Sequence, residues 1–467
     1  MAASADGAPT PPPVLFGTDG IRGPAGEPPL DAASLTRLGR ALGKSLATGA
    51  SDPQVILAGD TRSSTPDICG WLASGLRDSG CSARYAGVLP TPAVSRLATS
   101  TRASAGVAVS ASHNPFPDNG VKLLDGSGFK WPRAREVALE RLTAAEPAVT
   151  SGEMSRLEVL EPLEIESELR HRYLSELVEL FAERPLAGLS IVLDSANGAA
   201  TGLGTELFES LGATVASIGD QPDGTNINQN CGSTYPQLAA RETSTSGADL
   251  GFAFDGDADR TIAIDPTGAT VDGDAMLYVL ARWLYQQDEL RPAGIVATSM
   301  SNLGLEEALA AEGIELVRCD VGDRAVVETL RERGLALGGE QSGHVVHLGL
   351  SSTGDGLLSA ALLSRVVAST GRTLAELTSG FQRFPQILRN IEVPSKPALA
   401  SLPGVVDEAR RVAAHLGRHG RLVLRYSGTE PLARVMIEGK NQSEIEELAE
   451  GLAMTIASEI ETLERNE

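Results

Sequence analysis

No apolar stretch in this chain approaches the ~18 uncharged residues of a membrane-spanning helix. The N-terminus has neither a basic n-region nor an apolar h-region, so a secretory precursor is not expected. Cysteine is scarce. Cys69, Cys81, Cys231 and Cys319 show no CxxC spacing, so reduced, idle thiols in a cytoplasmic protein are expected, not disulfides or a zinc site. Positive charge is also in short supply: 39 Lys and Arg against 61 Asp and Glu leave a formal charge of −22. Such a chain is a poor candidate for wrapping nucleic acid or lying on an anionic membrane. If it binds an anionic small molecule, its few basic residues must be gathered locally. The GxxxxGK spacing of a Walker A loop is absent. Glycine, by contrast, is plentiful, 50 of 467, without a Gly-X-Y period. The glycines fall in loops between apolar runs, which points to functional turns.

What is present is a recurring unit: a short apolar strand, a glycine-rich loop, then an amphipathic helix. Val55–Ala58 runs into Gly59-Asp60-Thr61-Arg62, and Ile68, Leu72 and Leu76 then mark one helix face, stopped by Gly80. Strands are also expected at 106–109, 190–193, 214–216, 250–254, 294–298 and 314–317, with a helix around 305–311. Alternating strands and helices predict α/β domains with mainly parallel sheets, whose ligands gather beyond the carboxyl ends of strands. The last hundred residues differ. Arg421–Tyr426 and Arg434–Glu438 read as strands about a turn, followed by a helix carrying Ile445, Leu448, Leu452, Ile456 and Ile460. At about 150 residues per domain the length implies about three domains. The pattern gives three similar α/β units with mixed sheets plus a C-terminal α+β domain with helices on an antiparallel sheet. The expected divisions are a disordered Ala/Pro-rich tail at 1–13, then 14–158, 159–260, 261–375 and 376–467.

Five loops carry candidate chemistry. Asp255-Gly256-Asp257-Ala258-Asp259-Arg260 sets three carboxylates within five residues directly after an apolar strand. A hard divalent cation with oxygen ligands would relieve their repulsion; a solvated acidic turn is the plain alternative. The loop is not an EF-hand, which needs a Glu at position 12 and an entering helix. Ala111-Ser112-His113-Asn114-Pro115, with Lys122 in the loop region behind it, offers a strand-end hydroxyl and a cation to neutralise a phosphoryl group. By itself this could be a turn serine. Arg425-Tyr426-Ser427-Gly428-Thr429-Glu430-Pro431, with Arg434 beyond, could cradle a phosphate or simply turn a hairpin. Gly339-Glu340-Gln341-Ser342-Gly343-His344 suits the reading of sugar hydroxyls, or is a polar turn. Phe16–Gly23 places Arg22 on a tight glycine-rich loop.

Together these loops resemble the α-D-phosphohexomutase superfamily. FGTDGIRG at 16–23, VSASHNP at 109–115, PDGTNIN at 222–228, DGDADR at 255–260, GEQSGH at 339–344 and SGTEP at 427–431 occur in the family's order. FGTDGIRG and the run at 222–233 look most like the branch acting on glucosamine phosphates. The resemblance implies four domains around a cleft. It also implies interconversion of glucosamine 6-phosphate and glucosamine 1-phosphate through a phosphoserine enzyme and a 1,6-bisphosphate, supplying UDP-N-acetylglucosamine and cell-wall precursors. Phosphomannomutase or phosphoglucomutase activity is the alternative with the same chemistry. By the same resemblance Ser112 carries the phosphoryl group and helps hold one Mg²⁺ with Asp255, Asp257 and Asp259. Glu340 and Ser342 contact sugar hydroxyls, and Arg425, Ser427, Gly428 and Thr429 hold the non-reacting phosphate. Arg434, Arg260 and Arg324 join the substrate site. Arg22 lies by the phosphoserine, and Lys122 and His344 lead as acid and base. Glucosamine or glucose 1,6-bisphosphate is implied as activator. The partner implied is a small-molecule sugar phosphate, with no nucleic acid and no membrane; a homodimer is allowed. One departure is Ala325, where the family pattern has an aromatic residue, which leaves the packing near Arg324 open.

Overall fold

The computed structural model describes residues 15–49, 52–427 and 431–466. Its first sheet contains β1 (Ile21–Pro24), β2 (Gln54–Gly59), β3 (Ser82–Val88), β4 (Ala105–Val109) and β5 (Asp118–Asp125), in the order β1-β5-β4-β2-β3. The second contains β6 (Ser190–Asp194), β7 (Thr214–Ile218), β8 (Leu250–Phe254), β9 (Thr261–Ile264) and β10 (Thr270–Val271), in the order β10-β9-β8-β6-β7. The third contains β11 (Gly294–Thr298), β12 (Glu315–Cys319), β13 (Leu337–Gly339) and β14 (Val345–His347), in the order β12-β11-β13-β14. In each, three parallel strands are followed by a fourth that returns antiparallel to the third: β5 on β4, β9 on β8, β14 on β13. The expected repeat, invisible as sequence identity, is therefore a repeat of topology. The central strands β4, β8 and β11 are buried at every position, which is why they read as continuous apolar runs.

The fourth sheet is antiparallel: β15 (Gln386–Glu392), β16 (Gly420–Tyr426) and β17 (Leu432–Gly439), in the order β15-β17-β16. The helix Gln442–Asn466 packs on it through Ile445, Leu448, Leu452, Ile456 and Ile460. Mixed α/β sheets with an antiparallel C-terminal module thus match the expected fold class.

Two expected divisions need correcting. A boundary after Arg260 would cut β8 from its hairpin partner β9, whereas the second sheet runs on to Val271. The acidic loop resembled the end of a unit, but it is a tight reversal within one. A boundary after Ala375 would split the helix Leu374–Thr378, whose Leu374 and Leu377 belong to the large core shared by the first three sheets. The tail at 1–13 lies outside the described residues.

One hydrophobic cluster runs from Ile56 and Ala58 through Phe252 and Phe254 to Ile295 and Leu337, joining the three α/β units, while the fourth unit has its own core. Polar contacts tie that unit to the third. Arg421 on β16 donates to the Ser301 carbonyl at 2.8 Å and pairs with buried Glu438. At the end of the third unit, just before β15, the backbone of Phe384 is held by the Asn302 side chain through hydrogen bonds of 3.0 and 2.9 Å.

Candidate active site

The repeated topology places three of the candidate loops equivalently. The serine loop joins β4 to β5, the acidic loop joins β8 to β9, and the Glu340–His344 loop joins β13 to β14. Each leaves the carboxyl end of a central parallel strand, the usual ligand-binding end of such sheets.

Ser112 is buried and adopts a left-handed backbone with φ of 53°, a conformation that costs a non-glycine residue about 1–2 kcal/mol. Its Oγ donates to Asp255 Oδ2 at 2.6 Å, and its N–H donates to Ser110 Oγ at 2.9 Å. His113 Nδ1 lies 3.4 Å from Ser112 Oγ and from Arg260 Nη1. Burial, reinforced by Arg260 and Arg22, lowers the His113 pKa, so this imidazole stays neutral.

Asp255, Asp257 and Asp259 are all buried, each with a carboxylate oxygen within 4.8 Å of the others. Burial, then Asp259 and Asp257, pushes the Asp255 carboxyl well above the usual range. Burial opposes ionisation of Asp257 too, but Lys122 outweighs it and holds that carboxyl low. Buried oxygens Asp257 Oδ1 and Asp259 Oδ1 have no protein donor. Crowded oxygen-only donors with orphaned acceptors fit a hard divalent cation.

Lys122 lies on β5, paired with Ala108 of β4, not in a loop as expected. Its buried ammonium reaches Asp257 at 2.8 Å, Asp19 at 3.2 Å and Asp259 at 3.3 Å. Burial favours the neutral amine, yet these carboxylates raise the pKa well above the usual lysine value. Arg22 pairs with Asp19 at 2.6 Å and lies 3.4 Å from the Ala111 carbonyl. Arg260 donates its backbone N–H to Asp255 Oδ1 at 3.1 Å. Its guanidinium stays firmly charged: Asp259, Asp255 and Glu340 outweigh the opposing effect of burial. Ser112, the three aspartates, Lys122, Arg22 and Arg260 thus form one cluster.

Other expected residues lie around it. Glu340 Oε1 accepts from Gly322 N–H at 3.1 Å, and Ser342 is exposed on the same loop. His344 is buried, its ring nitrogens lack hydrogen-bond partners, and Nε2 lies 4.0 Å from Asp323. Arg425 and Arg434 stand opposite each other on β16 and β17. Burial, and then Arg434, lowers the Arg425 pKa. Two like charges in register repel, and an anion between them would reverse that. Ser427 is buried, and its carbonyl is held by Lys396 at 2.7 Å. Gly428 and Thr429 lie outside the described residues.

Arg324 bridges two domains: its guanidinium is engaged by buried Glu136 of the first unit, at 2.6 and 3.4 Å. Sequence reasoning also passed over Asp19 and Lys130. Lys130 bonds both Asp19 and Asp323 and so links the first unit to the third. The tight glycine-rich loop that drew attention to Arg22 could have flagged Asp19; nothing local marks Lys130.

All four domain signatures of the phosphoglucomutase/phosphomannomutase family match: alpha/beta/alpha domain I at residues 13–149, domain II at 171–268, domain III at 272–384 and the C-terminal domain at 388–454. The chain belongs to that family. A family member named phosphoglucosamine mutase, from Solibacter usitatus, is 43% identical over 96% of this chain and 99% of its own. A family structure from Burkholderia thailandensis superposes with a TM-score of 0.78 at 24% identity, covering 95% of this chain and 97% of that one. N-acetylphosphoglucosamine mutase of Aspergillus fumigatus, solved with GlcNAc-6P and magnesium, gives a TM-score of 0.66 at 18% identity over 96% of each chain. Among the described residues no helix is long and apolar enough to cross a membrane.

Proposed function

We propose that this family member is a phosphoglucosamine mutase, an isomerase that interconverts glucosamine 6-phosphate and glucosamine 1-phosphate. The observation that carries the reading is the buried hydroxyl of Ser112, hydrogen-bonded to a cluster of three carboxylates and ringed by Lys122, Arg22 and Arg260. Identity of 43% along nearly the whole chain to a relative of that name supports the substrate.

In this reading Ser112 Oγ carries the phosphoryl group. The Oγ–P bond breaks as O1 of glucosamine 6-phosphate bonds phosphorus; O1 loses its proton to a base and Ser112 Oγ is left to be reprotonated. The bisphosphate turns over, and the phosphoryl group on O6 passes back to Ser112 Oγ, leaving glucosamine 1-phosphate. A trace of glucosamine or glucose 1,6-bisphosphate would load the serine initially. Asp255, Asp257 and Asp259 would hold Mg²⁺, which when bound supplies positive charge to the transferring phosphoryl oxygens. Lys122 and Arg22 add fixed cations. Because its carboxylate neighbours keep Lys122 charged, it serves as a cation, and buried His344 is the better candidate for moving a proton. Glu340 and Ser342 read sugar hydroxyls. Arg425, Ser427 and Arg434, with Gly428 and Thr429, hold the phosphate that is not reacting. That division lets one cleft accept the sugar in two orientations.

The test is turnover of glucosamine 6-phosphate with Mg²⁺ and a trace of bisphosphate, compared with glucose and mannose phosphates. The highest kcat/KM is expected for glucosamine phosphate. A clear preference for mannose or glucose phosphate would reassign the substrate.

A further inference from the structure

The segment at 222–228 marks the branch in sequence, yet the reading above gives it no task. Its last residue, Asn228, reaches from the second unit into the serine turn of the first. Asn228 Nδ2 donates to the carbonyl oxygens of Ser112 at 2.9 Å and Asn114 at 3.1 Å. Two carbonyl acceptors can be served only by the amide NH₂, which fixes the orientation of this side chain. Arg62 Nη2 bonds the same two carbonyls, at 3.3 Å for Ser112. Arg62 is fully buried, and its charge is balanced by Asp60. Asp60 also accepts from Ser110 Oγ, which in turn takes the Ser112 N–H. Both ends of the Ser112 peptide geometry are therefore held.

The clamp is itself anchored. Asn228 N–H donates to the Ala196 carbonyl at 2.8 Å, and Gly224 accepts from Ser63 N–H at 2.9 Å. Gly256 of the acidic loop is packed over the contact: a Cβ there would lie 2.6 Å from Ser112 O and 3.0 Å from Asn228 Nδ2. Asn228 thus sits at the seam where the serine turn meets the acidic loop. A left-handed serine is not a relaxed conformation. Freed of its carbonyl donors, the turn can rotate towards ordinary backbone regions and carry Oγ away from Asp255 and the cations.

We propose that Asn228, acting with Arg62, is a positioning residue for phosphoryl transfer that holds the Ser112 turn in register with the acidic loop. This rests on the reading of Ser112 as the phosphoryl carrier. Misplacing a reacting atom by an ångström lowers rate by about 100-fold, with little demand on ground-state binding.

The experiment uses Asn228→Gly, because Asn228 is itself left-handed at φ of 59° and glycine accepts that backbone. Asn228→Asp, which keeps the shape but replaces the donor by an acceptor, is measured beside it. The readouts are kcat and KM for glucosamine 6-phosphate, melting temperature, and the rate at which glucose 1,6-bisphosphate loads Ser112, followed by intact mass. Both variants should lose about 30- to 100-fold in kcat and in loading rate, with KM changed less than about twofold. Near-normal loading and kcat in either variant overturns the proposal, as does a loss that merely tracks a lowered melting temperature. Ser112→Ala separates the two failures. If that variant still turns over, the carrier reading falls; if it is inactive while Asn228→Gly is normal, only the positioning role falls.

Discussion

Ser112 Oγ and Asp255 Oδ2, 143 residues apart in sequence, meet at 2.6 Å. Hairpins of two different sheets must dock for this bond to form. Asp255 is also the aspartate whose carboxyl is pushed up by burial and its acidic neighbours. The nucleophile candidate and a carboxyl held towards its protonated form therefore share one hydrogen bond.

Ser112→Ala removes the proposed carrier without changing its neighbours. Turnover should fall by about three orders of magnitude or more. Intact mass should show one phosphate on a fraction of the wild-type protein and none on the variant.

For the metal, Asp257→Asn keeps the shape of a buried residue but removes one charged oxygen and weakens the Lys122 pair. The Mg²⁺ concentration for half-maximal activity should rise, because hard cations prefer anionic oxygen donors. Excess chelator should abolish wild-type turnover, and added Mg²⁺ should restore it. Undiminished activity in chelator would remove the metal from the reaction.

Arg425 faces Arg434 across β16 and β17. Arg425→Ala should raise KM for the sugar phosphate and lower kcat/KM by about 2–4 kcal/mol, the scale of a truncated charge-paired contact. Ser112 should still be phosphorylated, since it lies on another sheet. Lost phosphoserine with unchanged KM would move Arg425 to the reacting end.

Gly256→Ala should separate the serine and acidic loops, since its Cβ would come within 2.6 Å of the Ser112 carbonyl and within 3.0 Å of Asn228. The contact on the Ser112 side is backbone, so a rotamer change cannot relieve it. Activity should fall at least tenfold, a loss of about 1.4 kcal/mol in transition-state stabilisation. An unchanged kcat would show that the two loops tolerate an extra methyl between them.

Asp274 gives a pH prediction away from the reaction. Burial, then Asp272, pushes its carboxyl from 3.8 up to about 7, against the Asn302 N–H bond at 2.8 Å. The folded state therefore holds this proton more tightly than the unfolded state. Its stabilising contribution is complete below the unfolded value and is lost as pH rises towards 7. At about 1.36 kcal/mol per unit the loss amounts to about 4 kcal/mol. Asp274→Asn should gain melting temperature relative to wild type as pH goes from 5 to 8. A constant difference across that range would mean that Asp274 does not titrate there.

The legible parts of the fold were those whose burial is continuous along the chain. β4, β8 and β11 are apolar at nearly every position because both faces are covered. β5 resembles a loop in sequence because it carries Asn119 and Lys122, polar residues buried by partners elsewhere in sequence. β9 is only four residues long and follows a charged loop, so it resembled the start of something new. In the site, Ser112 and the aspartates were legible because several unusual residues share one short loop. Arg62 and Lys130 were not: Arg62 sits two residues from its counter-ion Asp60 and looks like an ordinary local pair, while the counter-ions of Lys130, Asp19 and Asp323, arrive only by folding. Arg324, which the resemblance places in the substrate site, has in addition a pairing with Glu136 on a distant helix that nothing in its local sequence announces.

The equivalent placement of the serine, acidic and Glu340–His344 loops makes them three copies of one reversal in a repeated unit, each supported by its own sheet. The copies are interlocked: Gly256 packs against the Ser112 carbonyl, and Thr261 N–H, just past the acidic loop, donates to the Gly343 carbonyl at 3.1 Å. Drift in one reversal is therefore felt by the next, and a lineage that alters one of them is expected to change its neighbours with it.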